Sequence, residues 1–129
     1  MNDILVSTGN ALVEHCRSHT EDQALRTLYH PDVISIEPMA QPGQASAQVH
    51  GLDALHKKHA DWNENFETHD AGLSGPYFHG EHRFGIIFNI DATHKASGDR
   101  IKATEFALYT IDAEGKIIRE EFFFNPALM

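Results

Sequence analysis

The chain has 129 residues, 41% of them hydrophobic and 22% charged, proportions that fit one soluble globular domain over residues 1–129. Nineteen Asp and Glu against ten Lys and Arg give a net charge of −9, which repels phosphate backbones and argues against nucleic acid or anionic membrane as partners. The single Cys16 excludes an intrachain disulfide and a cysteine-rich zinc site. No apolar run approaches the ~20 residues that cross a bilayer, so no membrane role is expected. The opening residues lack the basic and apolar segments of a signal peptide, which sets the cytoplasm as the expected location.

Apolar spacing divides the chain near Phe66. Ile4, Leu5, Leu12 and Cys16 recur at three- and four-residue steps and predict a first helix of about four turns. Thr20 with Gln23 has the pattern of a capping box ahead of a short second helix, whose inner face is Ala24, Leu25 and Leu28 and which Pro31 stops. Val33 to Glu37 is a β-branched run closed by Pro38, which predicts a strand. Residues 39–50 predict a loop. From Gly51 a third helix carries Leu52, Leu55, His59 and Trp62 along one stripe, with Phe66 at its end.

Long strands follow. The first covers about 68–79, bent by Gly72, Gly75 and Pro76. Strands over 82–91, 100–111 and 116–124 complete a meander, the last two joined by Asp112-Ala113-Glu114-Gly115. Helix, helix, strand, helix and meander make an α+β pattern. An antiparallel sheet of that length, if strongly curved around the three N-terminal helices, encloses one pocket.

Leu28-Tyr29-His30-Pro31-Asp32-Val33, Glu37-Pro38, His50-Gly51 and the turn Ile111-Asp112-Ala113-Glu114-Gly115-Lys116-Ile117 occur in an order and spacing that resembles the SnoaL-like branch of the nuclear transport factor 2-like superfamily. The resemblance implies a cone-shaped curved sheet, a cystatin-like roll with a deep apolar pocket, usually paired into homodimers through the outer sheet. It also implies a range of functions, from ketosteroid isomerase and polyketide cyclases to non-catalytic members, so the fold alone does not choose among them. The isomerase's general base corresponds to Glu37, a carboxylate able to do the same work. Its two oxyanion donors correspond to Val13 and Ala107, which cannot donate a hydrogen bond. Ketosteroid isomerisation is therefore not expected.

The last hairpin can be read from alternation alone. A regular turn between Asp112 and Gly115 sets Glu120 opposite Ala107 and Phe122 opposite Glu105. Glu105, Ala107 and Tyr109 then share a face with Ile118, Glu120, Phe122 and Phe124. The resemblance puts that face in the pocket. Glu105 and Glu120 become diagonal neighbours, roughly 7–8 Å apart at the backbone. Two such carboxylates raise each other's pKa and suit proton transfer. A structural reading stands beside this one, in which either acid pairs with Arg83, Lys102 or a histidine, or is solvated at the pocket mouth.

Ten histidines invite a metal, but His15/His19 and His56/His59 are helical pairs without a third ligand, so no metal or other cofactor is expected. His59 differs because it lies on an apolar stripe, either as a core side chain or as an acid–base group. The outer face of the hairpin carries Phe106, Leu108 and Phe123, which ask for cover by a second subunit or by the tail Pro126 to Met129.

The resulting expectation is a SnoaL-like domain that takes a small apolar organic ligand and performs cofactor-independent acid–base chemistry of the isomerase, cyclase, dehydratase or hydrolase type. Glu37, Glu105, Glu120 and His59 are its candidate proton-transfer groups. Val13, Trp62, Ala107, Tyr109, Ile118, Phe122 and Phe124 are the candidate lining. The alternative is a non-catalytic ligand-binding or dimerisation module of the same fold.

Overall fold

In the computed structural model, which describes residues 2–40 and 46–124, helix and strand follow the order read from the sequence, with one short strand added over 48–50 where a loop was expected. The helices are α1 (Asp3–Arg17), α2 (Glu21–Leu28) and α3 (Leu52–Asn65). The strands are β1 (Tyr29–Ile36), β2 (Gln48–His50), β3 (Phe66–His79), β4 (Arg83–His94), β5 (Arg100–Ile111) and β6 (Ile117–Phe123). They form one six-stranded sheet in the order β2-β1-β6-β5-β4-β3, wrapped around the helices and left open, with β2 and β3 as its edges. Among the described residues no helix is long and apolar enough to cross a membrane.

The helices meet the sheet through the stripes their sequences carry. Asn2 caps α1 by accepting the Ile4 amide at 2.9 Å. Leu5, Leu12 and Val13 are buried, whereas Ile4 is 45% exposed and does not belong to the inner face. The capping box predicted for α2 does not form: the Thr20 hydroxyl turns back to His15, reaching its Nδ1 at 2.8 Å and donating to its carbonyl at 3.3 Å. Ala24 and Leu25 still supply the inner face of α2, and Leu55 that of α3.

Two findings depart from the predicted sheet. It is mixed, because β1 runs parallel to β6 while the other neighbouring strands are antiparallel. In addition, β1 begins at Tyr29, so Pro31 lies inside the strand. The pairing with β6 is interrupted between Tyr29 and Ile34, where a residue without an N–H costs no ladder bond. The bend expected in β3 is there, as a register shift between Ser74 and Tyr77 that contains Gly75 and Pro76. Residues 41–45 of the predicted loop and the tail offered as cover for the outer face lie outside the described residues.

The β5–β6 hairpin corrects the predicted register without changing its faces. The Asp112 carboxylate accepts the amides of Glu114 and Lys116, both at 2.9 Å. The turn therefore closes one residue later, at Lys116, whose carbonyl accepts the Asp112 amide. Gly115 adopts a φ of +88°, and a Cβ there would come within 2.6 Å of Ile4 Cγ2, so both backbone and space call for glycine. A bulge at Ile118 adds a second residue between the pairs Ile111–Ile117 and Thr110–Arg119. The two shifts sum to an even number. Glu120 lies opposite Tyr109 and Phe122 opposite Ala107, and the side chains expected on the inner face remain there. Only the bulge exchanges a place: Ile117 is fully buried and Ile118 half-buried.

Candidate functional site

Three strands and one helix bring the carboxylates together. Val33, Ser35 and Glu37 project inward from β1, Glu120 and Phe122 from β6, and Glu105, Ala107 and Tyr109 from β5. Parallel pairing sets Ser35 beside Glu120. From α3, Lys58 extends down between them. Its Nζ lies 2.6 Å from Glu37 Oε1 and donates to Ser35 Oγ at 2.9 Å, with both members of the ion pair largely buried. The ammonium also stands 4.8 Å from the centroid of the Phe122 ring, a cation–π contact.

Glu120 is the deepest acid, 2% exposed. Its Oε2 accepts the Tyr29 hydroxyl at 2.9 Å, and its Oε1 has no hydrogen-bond partner among the described residues. Burial raises its pKa above the usual carboxylate range, against the opposing pull of Lys58 and of the Ser35 and Tyr29 hydroxyls. Burial likewise raises Glu37, opposed by Lys58. Glu105 is pushed up to about 7, first by burial and then by the charge of Glu37, with Lys58 opposing. No hydrogen bond or ion pair holds the Glu105 carboxyl among the described residues. Burial and the nearby Glu120 push both Tyr29 and Tyr109 well above the phenol range, so both stay protonated donors.

The expected pair of Glu105 and Glu120 is corrected by the register. With Glu120 opposite Tyr109, Glu105 stands four residues along β5, about 13 Å away at the backbone. The carboxylate acting most strongly on Glu105 is Glu37, across β6. Nor does either acid form an ion pair with Arg83, Lys102 or a histidine among the described residues. The buried cation is Lys58, which pairs with Glu37 instead and lies three residues from Leu55 and four from Trp62 on the same helical stripe. That spacing was the available signal, and a lysine is easily read as solvated when its stem is buried and only its head is charged.

The remaining candidates fall elsewhere. His59 is partly buried and burial lowers its pKa, but the charges acting on it are Lys58, Glu21, His56 and Asp22, which places it toward α2. Trp62 stacks on Phe66 at 4.1 Å between centroids and its Nε1 reaches Thr68 Oγ1 at 3.4 Å. Val13 and Ala107 are buried in the core. Cys16 is pushed up to about 12 by burial, an inert thiol. Among the described residues no three His, Cys, Asp or Glu side chains gather as a metal site.

Among the described residues an open concavity of about 470 Å³ lies at the ends of β1 and β6, lined by Ile36, Glu37, Pro38 and residues 121–124. Glu37 thus connects the opening with Lys58 behind it.

A curved sheet around three helices, with a carboxylate-bearing interior, defines the cystatin-like α+β class. The chain belongs to the SnoaL-like domain family, whose profile matches residues 12–124. It is similar to a candidate SnoaL-like polyketide cyclase from Mesorhizobium loti, with 32% identity, 93% of this chain and 98% of that chain covered, and a TM-score of 0.84. An NTF2-like protein of unknown function from Burkholderia pseudomallei shares the fold at 16% identity, covering 98% and 95% of the two chains with a TM-score of 0.75. A candidate isomerase from Bacillus subtilis does so at 14% identity, covering 99% and 92% with a TM-score of 0.73. No curated protein matches the sequence.

Proposed function

We propose that the protein admits a small, neutral or weakly polar organic molecule through the opening beside Glu37, deep enough to reach Glu105, and moves a proton on it without a cofactor. The observation that carries this reading is Glu105: an inward carboxyl with no partner among the described residues and a pKa raised to about 7. Such a group is half ionised near neutrality, the condition under which one residue can serve as base and then as acid. Glu37 and Glu120 tune it, and Ala107, Tyr109, Phe122 and Phe124 shape the apolar surroundings. The polyketide-cyclase and isomerase descriptions of its relatives are in keeping with proton transfer at carbon.

A generic probe tests this. A nitrobenzisoxazole loses its ring C–H proton to a base, its N–O bond breaks, and a coloured cyanophenolate is released. Turnover above buffer should rise with pH through about 7 and vanish in Glu105→Gln. Equal rates in the two proteins would refute the assignment.

A second reading, a non-catalytic ligand-binding module, draws support from Val13 and Ala107, which offer no donor where the resemblance placed them. Binding of the probe without Glu105-dependent release would favour it. We also assign the outer face to a homodimer, since Phe106 and Phe123 form an exposed aromatic pair with centroids 6.1 Å apart, beside Leu108. A specific interface there would bury about 800 Å² per subunit.

A further inference from the structure

The sequence reading assigned no role to Lys58, yet it is the cation that the geometry sets among the three acids. One ammonium makes two directed bonds, to Glu37 Oε1 at 2.6 Å and to Ser35 Oγ at 2.9 Å, and caps the Phe122 ring at 4.8 Å. Among the described residues the ammonium forms no ion pair with a second carboxylate. Ser35 is in turn the parallel-strand neighbour of Glu120. The acids are therefore not equivalent: Glu37 has a fixed counter-ion, Glu120 has the Tyr29 hydroxyl, and Glu105 has neither.

We propose that Lys58 is a positioning residue of this site: it holds Glu37 as its fixed carboxylate partner and so leaves Glu105 as the carboxyl that exchanges a proton with the ligand. This rests on the acid–base reading given above. Lys58 faces Glu37 from β1 and Glu120 from β6, and Glu105 from β5 answers to the same three groups. Tyr29 and Tyr109 stay protonated, and Cys16 from α1 stays a neutral thiol. His59 and His56, on α3 itself, sit with Glu21 and Asp22 of α2. Without Lys58, Glu37 and Glu105 become two carboxyls, both withdrawn from solvent, competing for one negative charge. They then titrate as a coupled pair.

The test is a carbon-13 NMR titration of the side-chain carboxyls with no ligand present. In Lys58→Met the Glu37 midpoint should move up by about 1–3 pH units and overlap that of Glu105, the size expected on losing an adjacent opposite charge. Lys58→Arg should keep the two steps apart. Glu37→Gln should lower the Glu105 midpoint, because the nearest negative charge is gone. An unmoved Glu37 in Lys58→Met overturns the proposal. Should that variant fail to fold, an unmoved Glu105 in Glu37→Gln overturns it instead. The titration reads protons and not turnover. Shifted midpoints without probe turnover would sink the catalytic reading alone, while turnover with unmoved midpoints would sink the role of Lys58 alone.

Discussion

The two faces of the β5–β6 hairpin are made by the same nineteen or so residues, and each carries exceptions to the usual rule. The inner face, otherwise apolar, buries the acid Glu120 at 2% exposure beside Tyr109 at 3%. The outer face leaves Phe106 at 37% and Phe123 at 49% exposure. A sheet packed only for stability puts its apolar residues inside and its polar ones out. Burying a carboxylate costs several times what a buried methyl group contributes, so an interior acid held without a full set of partners marks a place where chemistry outweighs stability. Exposed aromatics on the opposite face mark a surface that expects cover. Both deviations come from one alternation pattern, and each can be attacked separately.

The largest effect should come from the inner face. Glu105→Gln should lower nitrobenzisoxazole turnover by roughly 10²–10⁴-fold, the usual contribution of a positioned base, with circular dichroism unchanged. If the rate stays, Glu105 is not the base and the inner face is scaffold.

The outer face extends to Gly85 on β4, the pairing partner of Leu108. The Phe106 ring sits so close to its Cα that any Cβ would collide with the ring. Gly85→Val should therefore displace Phe106 and lower stability by about 1–3 kcal/mol, seen as a fall in Tm. A neutral result would mean that the outer ring is free to move and that the patch is loosely built.

A smaller effect separates charge from shape. The raised pKa of Glu120 means that its carboxyl favours the folded state when protonated. Its ionisation penalty is absent below the unfolded value of about 4.3, grows as pH rises through that value, and levels off above the folded pKa. Glu120→Gln removes the penalty, so stability near neutral pH should rise or stay level while the decline across that window becomes shallower. Chemical denaturation at several pH values measures this. A steeper decline in the variant would show that Glu120 is held as an anion.

The smallest change to the fold should come from the outer face. Phe123→Ser should alter monomer stability by no more than about 0.5 kcal/mol, as is usual for exposed sites, yet shift sedimentation from dimer to monomer. Wild-type protein that sediments as a monomer at micromolar concentration would remove the homodimer altogether.

Local chemistry made much of this legible. Alternation along β5 and β6 gave the correct inner face even though the predicted register was two residues off, because the longer turn at Asp112–Lys116 and the bulge at Ile118 shift the strand by an even number. The helical stripes of Ala24, Leu25 and Leu55 follow from a period of 3.6. By contrast, the predicted cap at Thr20 failed because its hydroxyl found a competing partner in His15, a contact that a pattern of spacings cannot weigh.

By itself, then, the sequence determined the order of elements, the faces of the strands and which acids point inward, since those depend on periods of two and 3.6 within one segment. Tertiary structure alone decided the parallel pairing of β1 with β6, the separation of Glu105 from Glu120, and the choice of Lys58 as counter-ion. The second of these follows from the turn and the bulge of the hairpin, while the first and the last join residues far apart in the chain. Whether they meet depends on how the sheet curves around α3 and on where a lysine with a buried stem can bring its charge, quantities fixed only when all the elements pack at once.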